Sequence, residues 1–169
     1  ALLHATNRHT EAEPLMRRAL KIFEGSYGGN HPSIAGCLNN LAQLLQATNR
    51  LTEAEALMKR ALEINEGNYG KNHPRVATEL NNLAQLLKDT NRLTEAEPLM
   101  RRTVEIVLDF TRRTGHRHPH LQDALDSYGG LLEAMGRSQA EARKTLEELC
   151  MRFGVDLGES TSSKLSPKL

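Results

Sequence analysis

An eight-residue segment with the sequence Leu-Asn-Asn-Leu-Ala-Gln-Leu-Leu occupies residues 38–45 and recurs unchanged at residues 80–87. The similarity extends beyond this segment: between residues 30 and 66, 25 of 37 positions carry the same residue as the position 42 further on. A fixed period of this length is typical of a repeat array, in which each unit buries its apolar face against its neighbours. This one feature therefore predicts a repeat architecture before any other property is considered.

The spacing of apolar residues predicts that each repeat contains two helices. Leu38, Leu41, Ala42 and Leu45 follow the i, i+3, i+4, i+7 pattern that places them on one face of a helix. Because proline is favoured at the first helical position, the His-Pro pairs at residues 31, 73 and 118 should open the first helices, at about 32–47, 74–89 and 119–135. Second helices are expected at about 10–24, 52–66 and 94–113, and a last helix at about 139–153.

Three copies of Thr-x-x-Glu, beginning at Thr10, Thr52 and Thr94, precede the second helices. This is the pattern of a capping box, in which the threonine side chain accepts a hydrogen bond from the first turn and the glutamate reaches back. We therefore expect each threonine to cap a second helix, with Pro14 and Pro98 in the first turn. The third repeat is spaced by 45 residues, and the extra residues near 107–110 predict that its preceding helix is about one turn longer.

The domain organisation follows from these patterns. Residues 1–153 are predicted to form one all-α array, with a partial first repeat and then helix pairs starting near 32, 74 and 119. Residues 1–6 align with residues 43–48 and are expected to be the end of a helix whose start is missing. Residues 154–169 are rich in Ser and Gly and lack periodicity, so we expect a disordered tail.

Composition narrows the class of partner. The formal net charge is only +1, so bulk charge favours neither nucleic acid nor a membrane surface as a partner. No apolar run approaches the roughly 20 residues of a membrane-spanning helix. The two cysteines suggest no disulfide framework, and a reducing, cytoplasmic setting is the expectation. We predict no cofactor and no metal site, although His116, His118 and His120 alternate in one loop.

The order of small and large residues, from Leu38 and Ala42 to Ala54 and Ala61, resembles the tetratricopeptide repeat. The 42-residue period, the His-Pro opening and the Leu-Asn-Asn-Leu-Ala core are similar to the kinesin-light-chain type. This resemblance implies a right-handed α-solenoid of antiparallel helix pairs. It also implies a concave groove, lined by the first helices, in which asparagine side chains bind the backbone of an extended peptide. The third full repeat departs from the pattern, with Asp126-Ser127 in place of the paired asparagines.

A helical projection identifies the residues that would line such a groove. The face opposite the leucines carries one polar stripe on each first helix, and its edge carries further polar residues. Amides supply both donors and acceptors, as an extended backbone requires. Acidic residues gather toward the C-terminal end, where we expect a preference for a neutral or basic ligand segment. The predicted groove residues are Asn40, Asn82, Gln43, Gln85, Asn39, Asn81, Asp89, Asp123 and Asp126.

These features favour a protein-interaction scaffold that binds an extended peptide. The alternative is a structural or regulatory segment of a larger signalling protein, acting as a spacer, a sensor or an oligomerisation arm. No nucleophile elbow, phosphate loop or paired-carboxylate arrangement is present, so we do not expect an enzyme. We also expect that apolar residues at both ends are incompletely covered and promote self-association. They are Leu2, Leu3, Leu15 and Ile22 at one end, and Leu146 and Leu149 at the other.

Overall fold

The computed structural model describes residues 2–156, and their side chains from residue 11 onward. All regular structure within this range is α-helical, as predicted, and forms a solenoid of helix pairs joined by short turns. The predicted tail beyond residue 156 lies outside the described residues. The helices are α1 (Leu2–Tyr27), α2 (Pro32–Ala47), α3 (Leu51–Tyr69), α4 (Pro74–Asp89), α5 (Leu93–Thr114), α6 (Leu121–Ala134) and α7 (Gln139–Arg152).

The chain divides into two compact units, here called unit 1 (Ala1–Leu86) and unit 2 (Leu87–Leu169). In unit 1, α2 packs against both α1 and α3. The predicted apolar stripe of α2 is completely buried, since Leu38, Leu41, Ala42 and Leu45 are each 0% exposed. Part of the core of this unit is built from aliphatic residues of α2 and α3, against which α1 places half-buried side chains. This cluster contains Ile34, Ala35, Leu38, Ala61 and Ile64, with Leu20, Phe23 and Leu57 packed against it.

In unit 2, α6 packs against α5 and α7. Its buried Tyr128 belongs to a polar cluster that the sequence analysis did not predict. The Tyr128 hydroxyl donates a hydrogen bond to Glu97 Oε1 at 2.7 Å and accepts one from Arg101 Nε at 3.3 Å. Burial and the neighbouring Glu97 carboxylate raise the pKa of Tyr128. The cluster thus links α5 to α6.

The predicted capping boxes at Thr52 and Thr94 are wrong. Helix α3 starts at Leu51 and α5 at Leu93, so each threonine is the second helical residue, and the caps Arg50 and Arg92 make no side-chain cap. The reason lies in the preceding turns, where a non-glycine residue, Asn49 or Asn91, adopts a left-handed φ of 61° or 59°. That conformation turns the chain early enough for the next helix to start before the threonine.

The glutamate of the predicted box is also engaged elsewhere. Glu55 forms an ion pair with Lys59 of the same helix, with 2.8 Å between Glu55 Oε1 and Lys59 Nζ. Arg50 instead donates from Nη1 to Glu13 Oε1 of α1 at 2.7 Å and from Nη2 to Glu53. A complete capping box does occur at the start of α7, where the sequence analysis predicted none. The amide of Glu141 donates to Ser138 Oγ at 3.3 Å, and the Ser138 amide donates to Glu141 Oε2 at 2.8 Å.

Helix α1 is also longer than predicted. It runs without a break from Leu2 to Tyr27, so the expected turn before Thr10 is absent and Pro14 lies in the helix interior. Because α1 continues through residues 2–10, their backbone groups pair within the helix. Pro98 likewise lies one turn inside α5 because that helix starts at Leu93. As predicted, α5 is three residues longer than α3, with 22 residues against 19.

The His-Pro pairs open two of the three first helices as predicted. At α2, His31 Nδ1 accepts a hydrogen bond from the Ser33 amide at 3.2 Å, and its ring stacks on Tyr27 with centroids 4.7 Å apart. The same contacts recur at α4, where His73 accepts from Arg75 and stacks on Tyr69. Histidine therefore supplies the side-chain cap of these helices, whereas the sequence analysis based the helix start on the proline alone.

The third pair departs from this pattern. His118 Nδ1 accepts from the His120 amide at 3.2 Å, but α6 starts only at Leu121, so the prediction that Pro119 opens it is wrong. The longer α5 explains the shift. Its Thr111 Oγ1 accepts a hydrogen bond from the His118 amide at 3.1 Å, and Phe110 packs edge-on against the His118 ring. These contacts hold His118 in the loop.

The prediction that Leu146 and Leu149 are incompletely covered is also wrong. Both are buried, with 3% and 8% of their surface exposed, because α7 turns them toward the interior of unit 2. The exposed apolar residue of this helix is Met151, at 69%. The same prediction for Leu2 and Leu3 lies outside the residues whose side chains are described.

The observed caps predict different effects for two substitutions. Ser138→Ala removes the acceptor of the α7 capping box and should lower local stability by about 1 kcal/mol. Thr52→Ala is the matched control, because Thr52 is exposed within α3 and caps nothing, so it should change stability by less than about 0.5 kcal/mol. Native-state hydrogen exchange of the amides of α7 and α3 measures both effects. A larger loss for Thr52→Ala would contradict the observed helix starts.

Candidate functional site

The polar stripe predicted on α2 is exposed along its whole length. Gly36, Asn40, Gln43 and Ala47 all lie on the surface, opposite the buried leucines. Asn40 and Gln43 have no hydrogen-bond partner among the described residues. Their amide groups are therefore available to a ligand, with both donors and acceptors unpaired.

The equivalent stripe of α4 lies in the same unit up to residue 86. Thr78 and Gln85 are exposed, and Asn81 and Asn82 are half-buried. Asn82 has no partner within the described part of the chain, whereas Gln85 does interact with a neighbour. The α2 and α4 stripes are adjacent, because the Asn39 side chain of α2 donates a hydrogen bond to Glu79 of α4. Unit 1 thus brings together six of the predicted residues: Asn39, Asn40, Gln43, Asn81, Asn82 and Gln85.

A cavity of about 550 Å³ opens beside these stripes. Two stripe residues, Gly36 and Thr78, contribute to its wall, and so do the buried polar residues Asn65 and Glu79. The cavity lies between the first turns of α2 and α4 and the end of α3, where Tyr69 lines it. The sequence analysis predicted the stripe but not this cavity.

Glu79 is an acidic residue that lines the cavity and is almost fully buried, with only 5% of its surface exposed. Asn39 Nδ2 donates to Glu79 Oε2, and Asn65 Nδ2 donates to Glu79 Oε1 at 2.8 Å. Burial raises the pKa of the Glu79 carboxyl, and the two amide hydrogen bonds partly oppose this shift. No cation among the described residues forms an ion pair with it. The carboxylate is thus held by neutral donors alone.

Asn39 is consequently less available to a ligand than the prediction assumed. Its Nδ2 is engaged with Glu79, and its Oδ1 is buried without a hydrogen-bond partner within the described part of the chain. An unpaired buried carbonyl oxygen is uncommon and costly in native structures. Asn39 therefore positions Glu79, and it retains an unused acceptor next to it.

Glu79 could have been found from the sequence by comparing copies of the repeat. The equivalent position holds Cys37 in the preceding repeat and, after the 45-residue spacing, Ala124 in the following one. Both are small side chains on the inward side of a first helix. A glutamate at such a position must be buried, so it needs donors from neighbouring helices.

The three predicted acidic residues belong to unit 2. Asp89 and Asp123 are exposed, and His120 Nδ1 lies 3.5 Å from Asp123 Oδ2. Asp126 is exposed on α6 and accepts a hydrogen bond from Gln122 Nε2 at 2.8 Å. The structure leaves these three carboxylates solvated, so their predicted role stays a prediction.

Other chemistry receives little support. Burial raises the pKa of the Cys150 thiol to about 11 and also raises that of Cys37, so neither sulfur is an activated nucleophile. Within residues 11–156, no three His, Cys, Asp or Glu side chains are grouped so that they could hold a metal ion. Across the described helices, none combines the length and apolarity needed to cross a membrane.

Comparison with known proteins identifies the family. A model of the tetratricopeptide repeat matches residues 1–66 and, in a second register, residues 37–109. These matches together span more than half of the chain. The chain belongs to the tetratricopeptide repeat family. No curated protein matches it.

Several solved structures share this tetratricopeptide fold. BtubC (BKLC) from P. vanneervenii superposes with a TM-score of 0.71 at 20% identity, covering 96% of this chain and 61% of that one. Nearly identical TPR-like repeats of a kinesin-light-chain protein from Podosopora anserina give a TM-score of 0.66 at 23% identity, covering 89% and 69%. A point variant of those repeats gives a TM-score of 0.67 at 23% identity, covering 86% and 67%.

At these identities the structural similarity establishes the fold alone, and that fold is the kinesin-light-chain type of tetratricopeptide array that the repeat pattern predicted. The chain spans about three fifths of the length of BtubC. Tetratricopeptide repeats generally mediate protein–protein interactions, and the fold is typically a non-catalytic scaffold.

The Glu79 site predicts an unusual dependence of stability on pH. Because its pKa is raised in the folded state, the folded chain binds a proton more tightly than the unfolded chain, whose glutamates titrate at about 4.3. The stabilising contribution is therefore present below about pH 4.3 and is lost as the pH rises through the folded-state pKa. Glu79→Gln should remove this loss and raise stability at neutral pH by on the order of 1 kcal/mol.

A physical reason supports the choice of glutamine. The new amide can donate to Asn39 Oδ1, which has no partner among the described residues, once the Asn39 side chain rotates. Urea unfolding of the parent and the variant between pH 4 and 8 measures the difference. Glu63→Gln, at an exposed position of α3, is the control and should show no such trend. A parent-minus-variant difference that does not vary with pH would contradict the assignment.

Proposed function

We propose that this chain captures an extended peptide segment of a partner protein along the polar stripes of α2 and α4 in unit 1. The observation that carries the proposal is the set of amides at Asn40, Gln43 and Asn82, which reach the surface without partners among the described residues. The family to which the chain belongs generally mediates protein–protein interactions, which agrees with this use.

The chemistry of these amides fits a peptide backbone. An extended peptide presents one N–H and one C=O group per residue, and a side-chain amide can pair with either. Asn40 and Asn82 are equivalent positions of successive repeats, 42 residues apart, so stacking places the same group at the same register on both helices. Such a pair recognises the backbone without reading side chains, which suits a groove that binds several related segments.

The acidic residues of unit 2 support a separate proposal, which concerns a ligand segment bound at that unit alone. Asp89, Asp123 and Asp126 are exposed carboxylates, and their charge favours a ligand segment that is neutral or basic. The preference acts through solvent and should weaken with added salt.

Removing the two equivalent asparagines should abolish most peptide capture. In a selection from random displayed peptides, Asn40→Ala combined with Asn82→Ala should weaken binding of the enriched peptides by about 10- to 100-fold, at about 1 kcal/mol for each lost amide contact. The matched control is Glu63→Ala combined with Asn72→Ala, which alters two exposed polar groups outside the stripes and should leave enrichment unchanged.

The outcomes of this selection separate the alternatives. Peptides enriched equally by the parent and by the asparagine variant would show that the stripes are not the site. Charge-swapped versions of the enriched peptides test the acidic residues, and equal binding at low salt would remove the proposed preference. Failure to enrich any peptide would favour a structural or regulatory role.

That second role, as a spacer, a sensor or an oligomerisation arm of a larger protein, is favoured by an exposed apolar face on α1. Leu15 is 68% exposed and Ile22 is 58% exposed, and their spacing of seven residues places them on one side of the helix. Tyr27 at the end of the same helix is 57% exposed. In a repeat array, such a face is normally covered by the adjoining helix. A second copy of the chain would cover it in the same way.

If α1 mediates self-association, the mass measured by light scattering should rise with concentration. Leu15→Gln combined with Ile22→Gln should return the chain to a monomer, because the substitutions remove the apolar area that drives association. Met151→Gln, at an exposed residue of α7, is the control. A monomer mass that does not depend on concentration would remove this role.

A further inference from the structure

The cavity beside the α2 and α4 stripes contains a buried acid whose charge no described residue neutralises. Glu79 accepts only one hydrogen bond on each carboxylate oxygen, from the amides of Asn39 and Asn65. A carboxylate offers about four lone-pair sites, so roughly two are unused. Because an isolated buried carboxylate is costly, a cation is strongly favoured in a cavity that such a carboxylate lines.

The other charged and titratable groups of the cavity do not fill this role. Arg75 lies over the Tyr69 ring with its Cζ 5.0 Å from the centroid, and its Nη1 donates to the Tyr69 hydroxyl at 3.1 Å. Arg75 is therefore directed toward α3 and makes no ion pair with Glu79. His31 uses Nδ1 to accept the Ser33 amide and stacks on Tyr27. Glu79 thus lines the cavity, and no described residue provides a cation for its carboxylate.

We propose that this cavity takes a basic side chain, lysine or arginine, of the peptide bound along α2 and α4, and that Glu79 binds its cationic group. The proposal rests on the proposed function and specifies the ligand. Gly36 and Thr78 belong both to the exposed stripes and to the cavity wall, so a side chain of a peptide on the stripes can enter. A Cβ at Gly36 would meet nothing within 4 Å, so the entrance beside it is open.

The size and polarity of the cavity fit such a side chain. A volume of about 550 Å³ accommodates a lysine or arginine side chain with its aliphatic stem. Asn65 and Asn39 keep Glu79 in place before the ligand arrives, so little reorganisation opposes binding. Burial, which raises the pKa of Glu79, gives a linked effect: a bound cation lowers that pKa, and the affinity increases as the pH rises through it.

Two small compounds test the cavity directly. Nα-acetyl-lysine methylamide carries the ammonium group, and Nα-acetyl-norleucine methylamide carries a similar stem without it. In an NMR titration of the parent chain, the lysine compound should shift the Asn65 side-chain amide and the Thr78 and Glu79 backbone amides in a saturable way. The norleucine compound should bind at least 10-fold more weakly.

Two variants should then change the affinity in opposite directions. Glu79→Gln should weaken binding of the lysine compound by 10-fold or more, because the uncharged amide keeps the shape but not the charge. Arg75→Gln should strengthen binding by a few-fold, because it removes the other cation of the cavity wall. Equal affinity of the two compounds, or of the parent and Glu79→Gln, would overturn the proposal.

Peptide selection extends the test to the proposed ligand. Peptides enriched by the parent should share a lysine or arginine at one position, and those enriched by Glu79→Gln should lack it. Enrichment without a shared basic position would overturn this inference and leave backbone capture standing. If instead Asn40→Ala with Asn82→Ala still captures the peptides, the proposed function fails, and the lysine titration decides the cavity independently.

Discussion

The packing of the apolar face of α2 between α1 and α3 is the constraint on which unit 1 depends. Leu38, Leu41 and Leu45 are completely buried, and because α2 is amphipathic, burying its apolar face leaves its polar face at the surface. Asn40 and Gln43 are exposed for this reason and need no contact of their own to hold them there. The residues that build the core therefore also determine which amides a ligand can reach.

The helices could be predicted where the local sequence decides their ends. The His-Pro pair at Pro32 and the polar turn after Ala47 bound α2 as predicted, because proline, histidine and the turn residues act through neighbouring backbone groups. The start of α3 could not be predicted in this way. That start depends on the left-handed conformation of Asn49. A Thr-x-x-Glu pattern does not distinguish a threonine that caps the helix from one that lies in its first turn.

The candidate site likewise contains residues that the sequence predicts and contacts that it does not predict. The exposed stripe follows from the angle between successive helical residues, so Asn40 and Asn82 could be placed from the sequence alone. Comparison of the repeats identifies Glu79 as an inward-facing acid, but its hydrogen bonds cannot be predicted, because its partners Asn39 and Asn65 come from two other helices, 40 and 14 residues away in sequence. Periodicity identifies which residues face inward, but it does not identify which inward polar groups meet.

The positions at which copies of the repeat differ are therefore more informative about ligand choice than the positions at which the copies are identical. Residues shared by the first two full repeats, such as Leu38 and Leu80 or Asn40 and Asn82, serve needs common to both: the core and, as proposed, the peptide backbone. A ligand side chain is read only where one repeat offers chemistry that the others lack. Glu79, where the neighbouring copies carry Cys37 and Ala124, is such a position, and it lies beside a cavity. In an array that repeats its scaffold, specificity can arise only from such departures, since a position identical in all repeats cannot fix the register of a bound peptide.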